Sequence, residues 1–170
     1  MWACVGPGAG PIANQGVTMS EPGQDQQVSA SRVIAADAQT LFDIVADPTL
    51  HHVIDGSGSV QGARGDSRKL ALGDKFSTKM RIGVPYLITN KVVEYTEGRR
   101  IAWAHLGGWR WRYEFEPVEG GTEVTETFDW STSKVGFYIE MMKWAPKNQK
   151  SIEQTLSRLD AFATNTSSSL

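Results

Sequence analysis

The chain has 170 residues, of which 40% are hydrophobic and 21% charged, so it is long enough for one domain with its own core and too short for two. Seventeen Lys and Arg against nineteen Asp and Glu give a formal net charge of -2, which excludes the general electrostatic attraction of a basic nucleic-acid binder. The single cysteine, Cys4, excludes an intramolecular disulfide and a thiolate zinc site.

Localisation follows from what the chain lacks. No stretch approaches the roughly 20 apolar residues that cross a bilayer, so no membrane span is expected. The first residues lack the cationic start and continuous apolar run of a signal peptide. We therefore expect a cytoplasmic protein.

Two polar tails are predicted to flank the domain. Residues 1–26 are rich in Gly, Pro, Gln and Asn and cannot bury enough apolar surface to offset the entropy of ordering, so we expect a disordered tail. Met19 lies within it and could be the start of translation instead of Met1. We expect residues 164–170 to form a second, disordered polar tail, which leaves residues 27–163 for the domain.

The domain is predicted to begin with a strand and two short helices. Residues 28–34 alternate weakly between apolar and polar, as in a strand. Asp37 can cap the first helix, because its side chain can accept hydrogen bonds from the amides of the first turn. Asp47 and Pro48 end that helix and start a second helical turn that runs to Val53.

Six strands are predicted next, joined by short glycine-containing turns as an antiparallel meander. The segments with the strongest two-residue pattern are 76–82, 86–95, 101–106, 109–116 and 122–130. In the clearest segment, residues 109–116, four aromatic residues alternate with four charged ones. If Phe115 pairs with Val124, one face of the last hairpin carries Trp109, Trp111, Tyr113, Phe115, Val124, Glu126, Phe128 and Trp130.

A long amphipathic helix is predicted to end the domain. Its apolar residues fall at helical spacing: Ile152, Leu156, Leu159 and Ala163. Pro146 would kink the middle of a helix, so we expect a looser helical piece over residues 135–144 and a regular helix from Pro146. An aromatic sheet face needs a cover, and this helix is the only long one, so the sheet must curve around it.

Several short motifs resemble one known superfamily. They are Asp55-Gly56-Ser57-Gly58-Ser59-Val60, Leu72-Gly73-Asp74-Lys75-Phe76, Asn90-Lys91-Val92-Val93-Glu94-Tyr95, Arg100-Ile101-Ala102-Trp103, Trp111-Arg112-Tyr113-Glu114, Gly121-Thr122-Glu123-Val124-Thr125-Glu126 and Asp129-Trp130-Ser131. With the order of elements, they resemble the START-like superfamily, also called SRPBCC or Bet v 1-like, and within it small actinobacterial-type polyketide cyclase/dehydrase-like proteins. The resemblance covers about residues 27–163 and implies an α+β helix-grip fold, β-α-α-β6-α, with a curved antiparallel sheet around the C-terminal helix and a ligand cavity between them.

Three residues are candidates for acid/base chemistry: His105, Glu126 and Tyr113. Glu126 would be a carboxylate among aromatic rings, where lost solvation raises its pKa; a register shifted by one residue would expose it instead. His105 could exchange a proton near neutral pH. A two-residue Gly107-Gly108 loop would place His105 opposite the aromatic face and a three-residue loop would return it there, so its side stays open, and a solvated or singly hydrogen-bonded histidine is the more common case.

The candidate ligand-binding residues are mostly aromatic, with adaptable methionines and one amide. They are Met80, Asn90, Trp103, Trp109, Trp111, Phe115, Phe128, Trp130, Tyr138 and Met141. Some of these rings must instead be core packing. His51 and His52 project about 100° apart on a helix and cannot easily share a metal, so we expect a surface or pocket-mouth position for them, no metal site and no cofactor.

Three functions remain open from the sequence. The first is a carrier, monomeric or homodimeric, that binds a small hydrophobic molecule of the lipid, polyketide or isoprenoid class. The second is a polyketide cyclase or aromatase that uses an acid/base pair in the same cavity. The third is a protein-interaction module of the same fold, which would present an exposed apolar patch. Binding needs no proton relay, and we prefer it.

Overall fold

The computed structural model describes residues 26–134 and 144–167. Seven strands and three α-helices lie within these residues. In chain order they are β1 (Gln27–Ile34), α1 (Ala38–Ala46), a 3-10 turn (Pro48–Leu50), α2 (His51–Ile54), β2 (Val60–Arg64), β3 (Lys75–Ile82), β4 (Val84–Thr96), β5 (Arg100–His105), β6 (Arg110–Val118), β7 (Gly121–Asp129) and α3 (Trp144–Ser167).

The strands form one curved antiparallel sheet in the order β1-β7-β6-β5-β4-β3-β2. Strands β2 to β7 follow one another as a meander, and β1 pairs with β7, so the first and the last strand of the chain are neighbours. Helix α3 packs on β1 and β7 and touches α2. The predicted helix-grip fold is confirmed.

The short helices begin where the sequence predicts. The Asp37 carboxylate accepts a hydrogen bond from the Thr40 amide at 2.9 Å and caps α1. Asp47 accepts one from the Thr49 amide, also at 2.9 Å, at the start of the 3-10 turn. Each carboxylate satisfies an amide that has no partner within its own helix.

The filled core lies where α1 and α3 cover the sheet. Phe42 of α1 packs edge-on against Phe115 of β6, with ring centroids 5.7 Å apart. The predicted apolar residues of α3 are confirmed as core, all at most 1% exposed: Ile152, Leu156, Leu159 and Ala163. This part of the inner face therefore consists of close-packed side chains.

The opposite end of the sheet is far less covered. The β3–β4 hairpin carries apolar side chains that stay open to solvent, with Ile82 60%, Val84 70% and Leu87 54% exposed. Met80, nearer the base of the hairpin, is half-buried. One sheet thus has a filled end and an open end.

Helix α3 includes Trp144 and extends past Ala163 to Ser167, so it occupies part of the predicted polar tail. The Thr164 hydroxyl donates to the Asp160 carbonyl at 2.8 Å and takes up a backbone acceptor in the last turns. The helical piece predicted over residues 135–144 lies outside the described residues except for Trp144, as does the predicted N-terminal tail except for Gln26.

No helix among the described residues is long and apolar enough to span a membrane.

Candidate functional site

Strand register places Glu126 in the interior. Phe115 pairs with Val124, which is the register considered in the sequence analysis, and Tyr113 consequently lies directly opposite Glu126. The side chain of Glu126 is only 3% exposed. Phe128, two residues later on the same face of β7, has its ring centroid 4.8 Å from that of Trp111. A carboxyl group is therefore held among aromatic rings.

The two oxygens of Glu126 have different surroundings. The Tyr113 hydroxyl makes a hydrogen bond with this side chain. The oxygen Oε2 is buried and has no hydrogen-bond partner among the described residues. Burial raises the pKa of Glu126 to about 8, an effect that the Tyr113 hydrogen bond opposes and the charge of Asp55 reinforces. At neutral pH the group is mainly a neutral carboxylic acid, which can donate a hydrogen bond.

Tyr113 is itself buried, at 5% exposure. Burial, followed by the charge of Glu126, raises the pKa of the Tyr113 phenol well above its ordinary value. The phenol therefore keeps its proton across the physiological range and can donate it to the Glu126 side chain. With one Glu126 oxygen so engaged, Oε2 is left for another partner.

His105 lies on the inner face. Trp103 pairs with Trp111 and Ala104 with Arg110, so the side chains of Trp103 and His105 project to the same side as the β6 aromatics. The rings of His105 and Trp109 pack edge to face, with their centroids 3.9 Å apart. Of the two sides that the sequence left open for His105, the structure therefore shows the aromatic face.

The chemistry of His105 is that of a neutral base. Burial lowers its pKa to about 4. The Gly107 amide donates to Nδ1 at 3.4 Å, so Nδ1 is the acceptor and the ring proton is on Nε2. His105 is thus neutral at physiological pH and can offer an N–H donor.

His105 and Glu126 do not meet. His105 is level with Trp109, and Tyr113 lies four residues further along β6. Four residues of extended strand span about 13 Å. Of the three predicted acid/base candidates, only Tyr113 and Glu126 are brought together.

The predicted ligand-binding residues divide by burial. Asn90 is buried, and its amide donates to the Thr78 hydroxyl at 3.2 Å. The deeply buried aromatics are Trp103, Phe115, Phe128 and Trp130. Three further side chains are half-buried, those of Met80, Trp109 and Trp111. Tyr138 and Met141 lie outside the described residues.

His51 is a buried residue that the sequence analysis misplaced. The surface or pocket-mouth position is wrong for His51, which is 8% exposed and stacks on Trp103 with ring centroids 4.9 Å apart. Its Nε2 lies 2.8 Å from the Val45 carbonyl, and burial lowers its pKa. His52 is exposed, as expected. A usable signal was the spacing of His51 and Ile54, which puts both on one side of α2.

No group of three or more His, Cys, Asp or Glu residues able to hold a metal ion occurs within residues 26–134 and 144–167. Two open clefts formed by described residues have volumes of about 320 and 240 Å³. The larger is lined by residues around Arg64, Arg68 and Lys75, and the smaller by residues around Arg99 and Glu114. Neither borders Glu126.

Comparisons with known proteins identify the family and support the fold. A family model described as polyketide cyclase/dehydrase and lipid transport matches residues 25–163. The uncharacterized protein Rv0088 of Mycobacterium tuberculosis is 44% identical over 154 residues, which cover 86% of this chain and 68% of that protein.

Solved structures share the fold at low sequence identity. Protein NE0264 from Nitrosomonas europaea has a TM-score of 0.67 at 16% identity, covering 85% of this chain and 97% of that one. The polyketide cyclase-like protein Cgl2372 from Corynebacterium glutamicum has a TM-score of 0.57 at 18% identity, covering 83% and 93%.

Proposed function

The chain belongs to the polyketide cyclase/dehydrase and lipid transport family, and on that premise we propose that it binds a small hydrophobic molecule of the lipid, polyketide or isoprenoid class. The ligand lies against the inner face of the sheet, with its polar end at Glu126. The observation that carries this proposal is the buried Oε2 of Glu126, which has no hydrogen-bond partner among the described residues.

The chemistry of the ligand follows from the state of Glu126. A buried polar group without a partner costs about 1–3 kcal/mol, and a ligand oxygen placed at Oε2 would remove that cost. Because burial raises the pKa of Glu126 to about 8, the group is a donor at neutral pH. A neutral acceptor such as a ketone, ester or aldehyde oxygen suits it, and the surrounding rings provide apolar contact for the remaining carbon chain.

The proposal is tested by comparing a long-chain methyl ketone with the alkane of equal length. We expect the wild-type protein to bind the ketone roughly tenfold more tightly at neutral pH, since one hydrogen bond to a buried group contributes about 1–1.5 kcal/mol. Glu126→Leu should lose this preference while still binding both probes. The preference should also decline above about pH 8, as Glu126 ionises and ceases to donate.

Glu123→Gln is the matched control, because Glu123 lies on the same strand and is exposed. This variant should keep the ketone preference. Native mass spectrometry of protein from its own host, followed by extraction, would identify the natural ligand. Equal binding of ketone and alkane by the wild-type protein would refute a role of Glu126, and failure to bind either probe or any extracted molecule would refute carriage.

A second candidate, a polyketide cyclase or aromatase, is favoured by one observation. Glu126 has a pKa of about 8 and shares a hydrogen bond with Tyr113, so this pair can take up and return a proton near neutral pH. Formation of an aromatic product from a poly-β-keto thioester would support it if Glu126→Gln abolished the reaction. His105→Gln should matter little, because about 13 Å of strand separates it from the pair.

A further inference from the structure

The tip of the β3–β4 hairpin, residues 79–87, exposes apolar side chains on both faces. Ile82 and Val84 pair across the turn and are 60% and 70% exposed on the inner face, and Leu87 is 54% exposed on the outer face. Gly83 at the turn has φ +75°, a conformation that suits glycine and lets the two strands reverse within one residue. The most exposed apolar residues of this ribbon therefore lie together at its end.

The end of this tip, residues 81–87, extends beyond the strand pairing with β2 and β5. On one side β2 pairs with β3 only as far as Met80, and on the other β5 pairs with β4 only from Asn90 onwards. Leu106, which follows β5 directly, is fully exposed near the base of the projection. Isolated exposed apolar residues are common, but a contiguous group at a projecting edge marks an interaction surface.

The charges of the hairpin have one sign. Residues 75–93 contain four cations, Lys75, Lys79, Arg81 and Lys91, and no Asp or Glu. Lys79 and Arg81, on the outer face beside the apolar tip, make no ion pair with any described residue.

Several cations elsewhere in the molecule are paired. Arg99 contacts Glu116 at 3.0 Å, Arg100 contacts Glu114 at 2.7 Å, and Arg112 contacts Glu94 at 2.8 Å. The chain as a whole carries a net charge of -2, so the positive charge of the hairpin is a local feature. It is complementary to an anionic partner.

We propose that the hairpin tip docks on the surface of an anionic lipid bilayer. Ile82, Val84 and Leu87 enter the boundary between headgroups and acyl chains, and Lys79 and Arg81 lie at the level of the lipid phosphates. Shallow apolar insertion and electrostatic attraction to anionic lipid add together in such binding. The inference goes beyond the proposed ligand binding and does not depend on it, since Glu126 has no part in it.

Flotation with vesicles tests the proposal on the full-length protein. We expect it to bind vesicles of equal parts phosphatidylcholine and phosphatidylglycerol, and to be released from them by high salt. Vesicles of phosphatidylcholine alone should bind it much more weakly. Each cation near an anionic surface contributes about fivefold, so Lys79→Gln with Arg81→Gln should weaken binding roughly 30-fold. Ile82→Ser with Val84→Ser should weaken it about tenfold or more.

Two matched controls use residues away from the tip. Lys147→Gln with Lys150→Gln makes the same change of charge on exposed residues of α3. Val33→Ser removes a 53% exposed apolar residue from β1, the strand at the opposite edge of the sheet. Both controls should bind vesicles like the wild-type protein, and Glu126→Leu should do so as well.

Three results would overturn the proposal. The first is no binding to the anionic vesicles, and the second is equal loss of binding in the controls and the tip variants. The third is a tip variant that unfolds at a much lower temperature, or that converts a wild-type dimer to a monomer, without loss of vesicle binding. That result would mean that the tip is covered by the chain itself or by a second copy.

Discussion

Glu126 carries an ionisable group into the interior, and this group makes its own contribution to the pH dependence of the free energy of unfolding. Burial raises its folded-state pKa to about 8 from an ordinary value of 4.5, and the folded state therefore holds a proton that the unfolded state releases. The stability contributed by this proton is present below about pH 4.5 and is lost progressively as the pH rises to about 8.

Glu126→Gln should remove this pH dependence, because glutamine cannot ionise. Near pH 5 the free energy of unfolding of the variant should lie within about 1 kcal/mol of the wild-type value, and near pH 9 the variant should be more stable by about 3–5 kcal/mol. Urea unfolding at a series of pH values measures both. Glu123→Gln, at an exposed position of the same strand, should leave the profile unchanged. A parallel profile for wild type and Glu126→Gln would contradict the raised pKa.

The residues of the candidate site differ in how far the sequence could predict them. The pairing of Glu126 with Tyr113 could be predicted from the sequence, because one correct pair in a hairpin determines every other pair along it. The burial of His51 was harder to predict, since α2 has only four residues and a single pair at i, i+3, His51 and Ile54, to indicate its inward side. Its position depends on stacking with Trp103, a residue 52 positions later in the chain.

At the scale of elements, the contact between α2 and α3 depends on Gly56. The Gly56 amide donates to the Thr155 hydroxyl at 2.9 Å. A Cβ at this position would overlap the Ser151 carbonyl oxygen and the Thr155 amide nitrogen, which are backbone atoms of α3. The glycine that follows α2 therefore allows the loop to approach the long helix closely.

Gly56→Ala should destabilise the protein by about 3 kcal/mol or more, because backbone atoms in a helix cannot move aside cheaply. Gly58→Ala is a useful comparison. Gly58 has φ +69° but open space around its Cα, so alanine there should cost only about 1 kcal/mol. Thermal unfolding distinguishes the two. Equal costs would mean that α3 shifts to accommodate the methyl group.

Element order was predictable because caps, turns and alternation are local signals. The irregularities within strands were not. The pairing shifts between Val60 and Gly62 of β2, and between Val92 and Glu94 of β4, where an extra residue interrupts the ladder. Bulges of this kind bend a sheet but leave little trace in apolar alternation.

At the scale of the whole molecule, the inner face of the sheet divides into a filled end and an open end. Alternation alone predicts the same burial for Ile82 and Val84 as for Tyr113 and Phe115. In the structure Tyr113 and Phe115 are buried under the helices, whereas Ile82 and Val84 are exposed. A sequence pattern identifies a face, whereas coverage of that face depends on how the helices pack.

Substitutions at the two ends should therefore affect different properties. Leu159→Ala removes a fully buried side chain of α3 and should cost about 2–5 kcal/mol of unfolding free energy. Leu87→Ala, at an exposed position of the hairpin tip, should change stability by less than about 0.5 kcal/mol. Urea unfolding of both variants measures the difference. A large loss of stability in Leu87→Ala would mean that the tip is packed in solution.

The adjacency of the first and last strands affects how the chain folds as it is made. Ile34 of β1 pairs with Thr122 of β7, so β1 leaves the ribosome about 90 residues before its partner. At translation rates of roughly 5–20 residues per second, β1 stays unpaired for about 5–20 s. During that time the growing chain presents a free strand edge and an incomplete sheet. Its exposure to aggregation during synthesis thus depends on the time needed to make the five strands that lie between.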